Sequence, residues 1–97
     1  MGRSDLAHLF WPRSIAVVGA SDRPDKVGYK VLSNILTEGF SGKVYPVNPR
    51  GGQILGTPCL TSIDELPEGV DVAMIVIPAK LVLDAVARCA SRGVRFL

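Results

Sequence analysis

Two runs of unbroken apolar sequence constrain this chain more than anything else. One is Val72-Ala73-Met74-Ile75-Val76-Ile77, stopped by Pro78; the other is Ile15-Ala16-Val17-Val18, closed by Gly19. A strand with one face in water alternates apolar and polar residues, whereas one that is apolar throughout is covered on both faces, as in a parallel sheet. The runs predict strands over Arg13–Ala20 and Val70–Ile77, and Lys43–Val47 reads as a third, broken by Asn48-Pro49 and the flexible Gly51-Gly52. Between the first two strands in sequence, Val31, Leu32, Ile35 and Leu36 recur at helical spacing and predict a helix from Gly28 to Glu38. Gly39 is placed to end it in the left-handed conformation, with Phe40 folding back as the hydrophobic contact of the cap. A second amphipathic helix is expected from Ala79, with Leu83, Val86, Ala87 and Ala90 facing inward and Arg92-Gly93 as its end.

The remaining segments are shorter. Residues 53–62 read as a connector with a turn at Gly56-Thr57-Pro58. Ser62–Leu66 reads as a single helical turn, with Ser62 as N-cap and Asp64 and Glu65 in the first turn. Val94–Leu97 looks like the start of another strand, so residues 1–97 are expected to be one domain cut from a longer protein, with 1–12 a short N-terminal segment. Strands alternating with helices give an α/β fold of three layers around a parallel sheet, truncated at its C-terminal strand.

Composition narrows the partners. An apolar fraction of 47% suits a folded core and excludes a disordered tail. The net charge of +2 makes no demand for nucleic acid. Residues 1–50 hold seven Lys/Arg against four Asp/Glu, and residues 51–97 four against five, a mild basic bias that suits a phosphate-bearing small molecule. Asp5 and His8 interrupt the early apolar run that ends at Trp11, so no signal peptide is expected; Leu6 stands where a myristoylation motif needs Ser or Thr. No stretch has the roughly 18 apolar residues of a membrane span. Cys59 and Cys89 fit no metal or redox spacing and are read as free thiols in a reducing cytoplasm.

Two constellations carry possible chemistry. The first is the turn Gly19-Ala20-Ser21-Asp22-Arg23-Pro24-Asp25-Lys26-Val27-Gly28, a strand end leading into a helix. Gly19 lets a ligand approach the backbone, the helix N-terminus offers N–H groups to phosphate, and Ser21 and Lys26 add a hydroxyl and a cation. The alternative is an ordinary loop with surface charges. The second is Val76-Ile77-Pro78-Ala79, a possible apolar wall at a strand's carboxyl end, or simply a strand stop and helix start. No G-x-G-x-x-G occurs, and the end of the second strand, Val47-Asn48-Pro49-Arg50, has a cation where NAD binding wants a carboxylate. NAD is disfavoured, and NADP and coenzyme A both remain; a Walker loop is excluded because no GK[ST] is present. Asp64, Glu65, Glu68 and Asp71 read as a solvated acidic face, Cys89 as core, and Trp11 as an N-terminal anchor near Phe10 and Pro12.

Taken together, Leu9-Phe10-x-Pro12-Arg13-Ser14-Ile15-Ala16-Val17-Val18-Gly19-Ala20-Ser21, Lys26-Val27-Gly28, Gly39-Phe40-x-Gly42-x-Val44-Tyr45-Pro46-Val47-Asn48-Pro49 and Glu65-Leu66-Pro67 resemble the opening of the NDP-forming (ADP-forming) acyl-CoA synthetases. A more distant resemblance is to the α subunit of succinyl-CoA synthetase. The resemblance implies a Rossmann-like domain that binds coenzyme A at three places. These are the first loop through Gly19, Ala20, Ser21, Lys26, Val27 and Gly28; the turn after the second strand through Asn48, Pro49 and Arg50; and the third strand's end through Ile77, Pro78 and Ala79. Equating Arg50 with the basic residue of the succinyl enzyme requires a small gap. The resemblance further implies that the phosphorylated histidine, the ATP-grasp module and the sites for ATP and Mg2+ lie in downstream domains or a separate subunit. The 97 residues alone are then expected to be inactive, with no catalytic residue and no metal site. His8 matches no catalytic position and is read as lying on a short N-terminal helix with Leu6, Leu9 and Phe10. A regulatory module fused to a protein acetyltransferase and a free-standing CoA-binding protein are the alternatives.

Overall fold

Strands apolar on both faces need two covering layers, and the chain provides them by crossing from one side of its first strand to the other. The computed structural model describes residues 11–97, so the expected N-terminal helix carrying His8 lies outside the described residues. β1 (Ser14–Val18) is central; β2 (Lys43–Val47) and β5 (Val72–Ile75) flank it, both parallel to it. Ser14 pairs with Lys43 and Val18 with Val47 on one side, and Ile15 with Val72 and Val18 with Ile75 on the other. Leu60 adds a parallel bridge outside Val47, and Phe96 one outside Val72. The second of these bears out the strand start expected at Val94–Leu97.

α1 (Val27–Thr37) covers one face and α2 (Ala79–Ser91) the other. Alternation along β1 then divides its apolar run. Ile15 and Val17 pack with Leu32 and Ala20 on the α1 side, and Ala16 and Val18 pack with Ala73, Ala85 and Cys89 on the α2 side. Val31, Ile35 and Leu36 join the α1-side cluster as expected, and Gly39 ends the helix at φ +85° with Phe40 packed beneath it.

Four sequence expectations are corrected. The inward stripe of α2 is Val82, Ala85, Val86 and Cys89; only Val86 of the expected four belongs to it, and Leu83 is 83% exposed. The segment Lys80–Ser91 supports two helical phases, and the tight approach to Ala16 and Ala73 selects the one that presents small side chains. The connector at 53–62 contains a hairpin, β3 (Gln53–Ile54) against β4 (Thr57–Pro58), whose turn is Leu55-Gly56, one residue earlier than expected. Both turn residues have positive φ, 52° and 77°, as a two-residue hairpin requires. Asp71 is not part of a solvated face: it is 4% exposed. Its carboxylate accepts from the Arg13 backbone N–H at 2.7 Å and pairs with Arg95 at 3.4 Å, while its own N–H donates to Ser14 Oγ. This knot ties the start of β1 to the start of β5. Finally, Met74 is 41% exposed although it lies inside the apolar run, because α1 packs over β1 and leaves part of β5's outer face open.

The single turn expected after Ser62 is present as a 3-10 turn, Ile63–Glu65, capped by Ser62 Oγ, which accepts from the Asp64 N–H. Glu65 reaches back and accepts from both the N–H and the hydroxyl of Thr61. Those bonds favour the carboxylate and hold the Glu65 pKa below its ordinary value. Cys59 and Cys89 are buried and unpaired, and burial raises both thiol pKa values.

Candidate functional site

The site forms where the three parallel strands let go of one another. The Val76 N–H still donates to Val18 O at 2.8 Å and the Gly19 N–H to Val47 O at 3.0 Å, but beyond these bonds the chains turn apart. Gly19 has φ +98°, and a Cβ there would strike the Val76 carbonyl oxygen and the Ile77 side chain. Gly28, in the first turn of α1, sits against the Gly19 carbonyl with no room for a Cβ. Two glycines nine positions apart therefore let the helix start abut the strand end. Lys26 is the N-cap residue of α1, and its side chain makes no capping hydrogen bond. The first N–H groups of α1 thus face the crevice with the positive end of the helix dipole behind them.

Asn48 joins the two loops at this end of the sheet. Its Nδ2 donates to Ala20 O at 2.7 Å, and its Oδ1 accepts from the Arg50 N–H at 2.8 Å. Ser21 Oγ accepts from the Arg23 N–H, closing a small turn inside the first loop. Together these elements enclose a cavity of about 520 Å³, within the range of roughly 300–1,000 Å³ usual for small-molecule sites. Among the described residues that line it, Lys26 is the sole charged one.

Nine of the twelve expected site residues line this cavity: Gly19, Ala20, Ser21, Lys26, Val27, Gly28, Asn48, Ile77 and Pro78. The other three are placed differently. Pro49 lines a second cavity, of about 260 Å³, on the α2 side of the same strand ends. Arg50 lies with Asp22 and Gln53 around a hollow of about 20 Å³, room for one water. Ala79, the first residue of α2, is exposed and lines none of the three. The second cavity also takes in Thr61, Ser62, Leu81, Asp84 and Arg88, which sequence reasoning missed. Only the correct phase of α2 would have found its four helical members, Leu81, Asp84, Ala85 and Arg88. Among the described residues no group of His, Cys, Asp and Glu is arranged to hold a metal ion, and no helix is long and apolar enough to cross a membrane.

Comparison with known proteins gives the architecture a family. The model of the CoA binding domain family matches residues 13–97. This chain belongs to that family. Its curated relatives include the ADP-forming acetate–CoA ligase II of Archaeoglobus fulgidus, 45% identical over 91 residues, which cover 94% of this chain and 14% of the ligase. The α subunit of the ADP-forming acetate–CoA ligase I of Pyrococcus furiosus is 43% identical over 94 residues, covering 93% of this chain and 20% of the subunit. Among solved structures, the dinucleotide-forming acetyl-coenzyme A synthetase 1 of Ca. Korarchaeum cryptofilum, in complex with phosphate and ADP, superposes with a TM-score of 0.87 at 45% identity. The match covers 92% of this chain and 19% of that one. The CoA binding domain described here thus spans a fifth or less of the length of these relatives.

Proposed function

We propose that this CoA binding domain holds coenzyme A across the carboxyl ends of its parallel strands, as the nucleotide-binding part of an ADP-forming acyl-CoA synthetase. The observation that carries the reading is the cavity between Gly19–Gly28 and Val76–Pro78. It combines a helix N-terminus without a side-chain cap from Lys26, the Lys26 cation, and a helix start that two glycines let abut the strand end, with no carboxylate among its lining residues. That is the chemistry a diphosphate asks for. The end of β2, where a ligand of NAD type would meet an acidic residue, has Asn48 and Arg50 instead. In this reading Arg50 meets the ribose 3′-phosphate, and the pantetheine arm runs along Ile77-Pro78 toward Ala79, out of the domain.

The whole protein would join a carboxylic acid to CoA while ATP is converted to ADP and phosphate. ATP, Mg2+ and the phosphoryl-carrying histidine would belong to further domains or to a second subunit, as the α-subunit relative supports. A reducing cytoplasm suits the buried, unpaired Cys59 and Cys89. Calorimetry of the 97-residue chain against CoA and NAD tests the binding step. CoA should bind the more tightly, and a tighter NAD isotherm would refute the proposal. Supplying acetate, ATP and CoA to the same chain should yield no thioester.

A further inference from the structure

The two cations nearest the site belong to different loops. Lys26 ends the loop that leads from β1 into α1, and Arg50 stands on the turn that follows β2. The backbone ladder between β1 and β2 runs out with the bond from the Gly19 N–H to Val47 O. Past that point, among the described residues, a single side-chain hydrogen bond joins the two loops: Asn48 Nδ2 donates to Ala20 O at 2.7 Å.

Asn48 is held on every side. Its backbone N–H donates to Leu60 O at 2.8 Å, and its carbonyl accepts from the Gly51 N–H at 2.9 Å. Its Oδ1 accepts from the Arg50 N–H at 2.8 Å. Each of its four polar groups therefore has a partner in the protein. Ala20, at the far end of the tie, is fully buried, whereas Arg50 is exposed. The amide thus fastens an exposed turn to a packed strand end. The task needs a donor at one end of the side chain and an acceptor at the other. Aspartate has no donor for Ala20 O. Serine can still accept from the Arg50 N–H but is too short to span to the other loop.

We infer that Asn48 is a positioning residue: by tying the Arg50 turn to the loop of Lys26, it sets the separation at which the two cations meet two phosphate groups of one ligand. The preference for CoA over dephospho-CoA then depends on Asn48 as well as on Arg50. This rests on the coenzyme A reading, in which Lys26 and the start of α1 take the diphosphate and Arg50 the 3′-phosphate.

Calorimetry on the 97-residue chain against CoA and dephospho-CoA tests it, with wild type, Asn48→Ser, Arg50→Ala and the double variant, each verified as folded by far-UV circular dichroism. Arg50→Ala alone should lower the preference for CoA. In Asn48→Ser the preference should already be reduced, with Arg50 still present. The penalty for then removing the guanidinium should shrink at least about twofold, the lower limit of coupling within one hydrogen-bond network. Asn48→Ala, which also loses the bond to the Arg50 N–H, should reduce the preference further. A side chain that only touched the ligand or supported the fold would weaken both ligands alike and leave the Arg50 penalty unchanged, and that result overturns the inference. Hydrogen exchange on wild type serves if the variants do not fold. Dephospho-CoA, which lacks the group that Arg50 reads, should slow exchange at the Arg50 and Gly51 N–H groups as well as in the first loop, and unaltered exchange at Arg50 and Gly51 overturns the inference. Wild type that binds no CoA refutes the coenzyme A reading itself. Wild type that prefers CoA, with additive effects of Asn48→Ser and Arg50→Ala, refutes the positioning role alone.

Discussion

Removing the Arg50 side chain isolates one contact of the proposed ligand without disturbing the loop that presents it. The turn is held by its backbone and by Asn48: the Arg50 N–H donates to Asn48 Oδ1 at 2.8 Å and the Gly51 N–H to Asn48 O at 2.9 Å. Neither bond uses the guanidinium, and Arg50 is exposed, so Arg50→Ala should change stability by less than about 0.5 kcal/mol. Its effect on binding should be larger. A charge-assisted hydrogen bond contributes about 1.5–3 kcal/mol when sheltered, whereas exposed ion pairs contribute about 0.2–1 kcal/mol. The Arg50 side borders a hollow with room for one water, so an intermediate value of about 1–2 kcal/mol is expected, a 5- to 30-fold weaker Kd. Dephospho-CoA, which lacks the 3′-phosphate, should bind wild type and Arg50→Ala alike. Arg50→Lys should recover part of the loss, because an ammonium keeps the charge but not the planar fork. Calorimetry with both ligands at two salt concentrations reads all of this, and the wild-type advantage for CoA should shrink as salt rises. Equal weakening toward both ligands would refute phosphate reading by Arg50 and assign it a role in loop shape. No weakening toward either would leave phosphate recognition to Lys26 and the start of α1.

Other substitutions probe the frame around the site. Gly28→Ala places a methyl against the Gly19 carbonyl and should cost about 1–3 kcal/mol by overpacking, seen as a lower urea midpoint and weaker CoA binding together. Leu55 holds φ +52° at the tip of the hairpin, where a β-carbon costs roughly 1–2 kcal/mol and asparagine is better tolerated. Leu55→Asn should therefore raise Tm, and an unchanged or lower Tm would refute the strain assigned to this turn. The Glu65 pKa is lowered in the folded chain from its ordinary value of 4.5. Its contribution to stability is present above that value and lost as pH falls through the folded pKa. Glu65→Gln should flatten the acid limb of the denaturation midpoint against pH, and an unaltered limb would refute the contribution.

Much of this domain is written locally. The strand ends at Gly19 and Asn48, the span of α1, its glycine stop and the turn after Ser62 depend on neighbours within a few residues, and each was legible from the chain. So was most of the larger cavity, because a glycine at a strand end, a loop and a helix start are consecutive in sequence and stay together in space. The apolar run at Val72–Ile77 was legible as a strand but read too long, since β5 ends at Ile75 and, past the bond from the Val76 N–H to Val18 O, the chains part where β1 turns away at Gly19.

The rest was decided by what meets across the sheet. The Leu- and Ala-rich second helix fits two phases by periodicity; Cys89 was legible as core, but only packing beside Ala16 and Ala73 chose Ala85 over Leu83 and Ala90. That choice also brought Leu81, Asp84 and Arg88 to the second cavity. Asp71 looked like one of four surface acids. It is buried because the chain brings Arg13 and Arg95, distant in sequence, to either side of it. Sequence determines which segments are strand, helix or turn because those preferences act over a few bonds. Which face of a helix is inside, and which charge has a partner, depends on residues tens of positions away, and only packing brings them together.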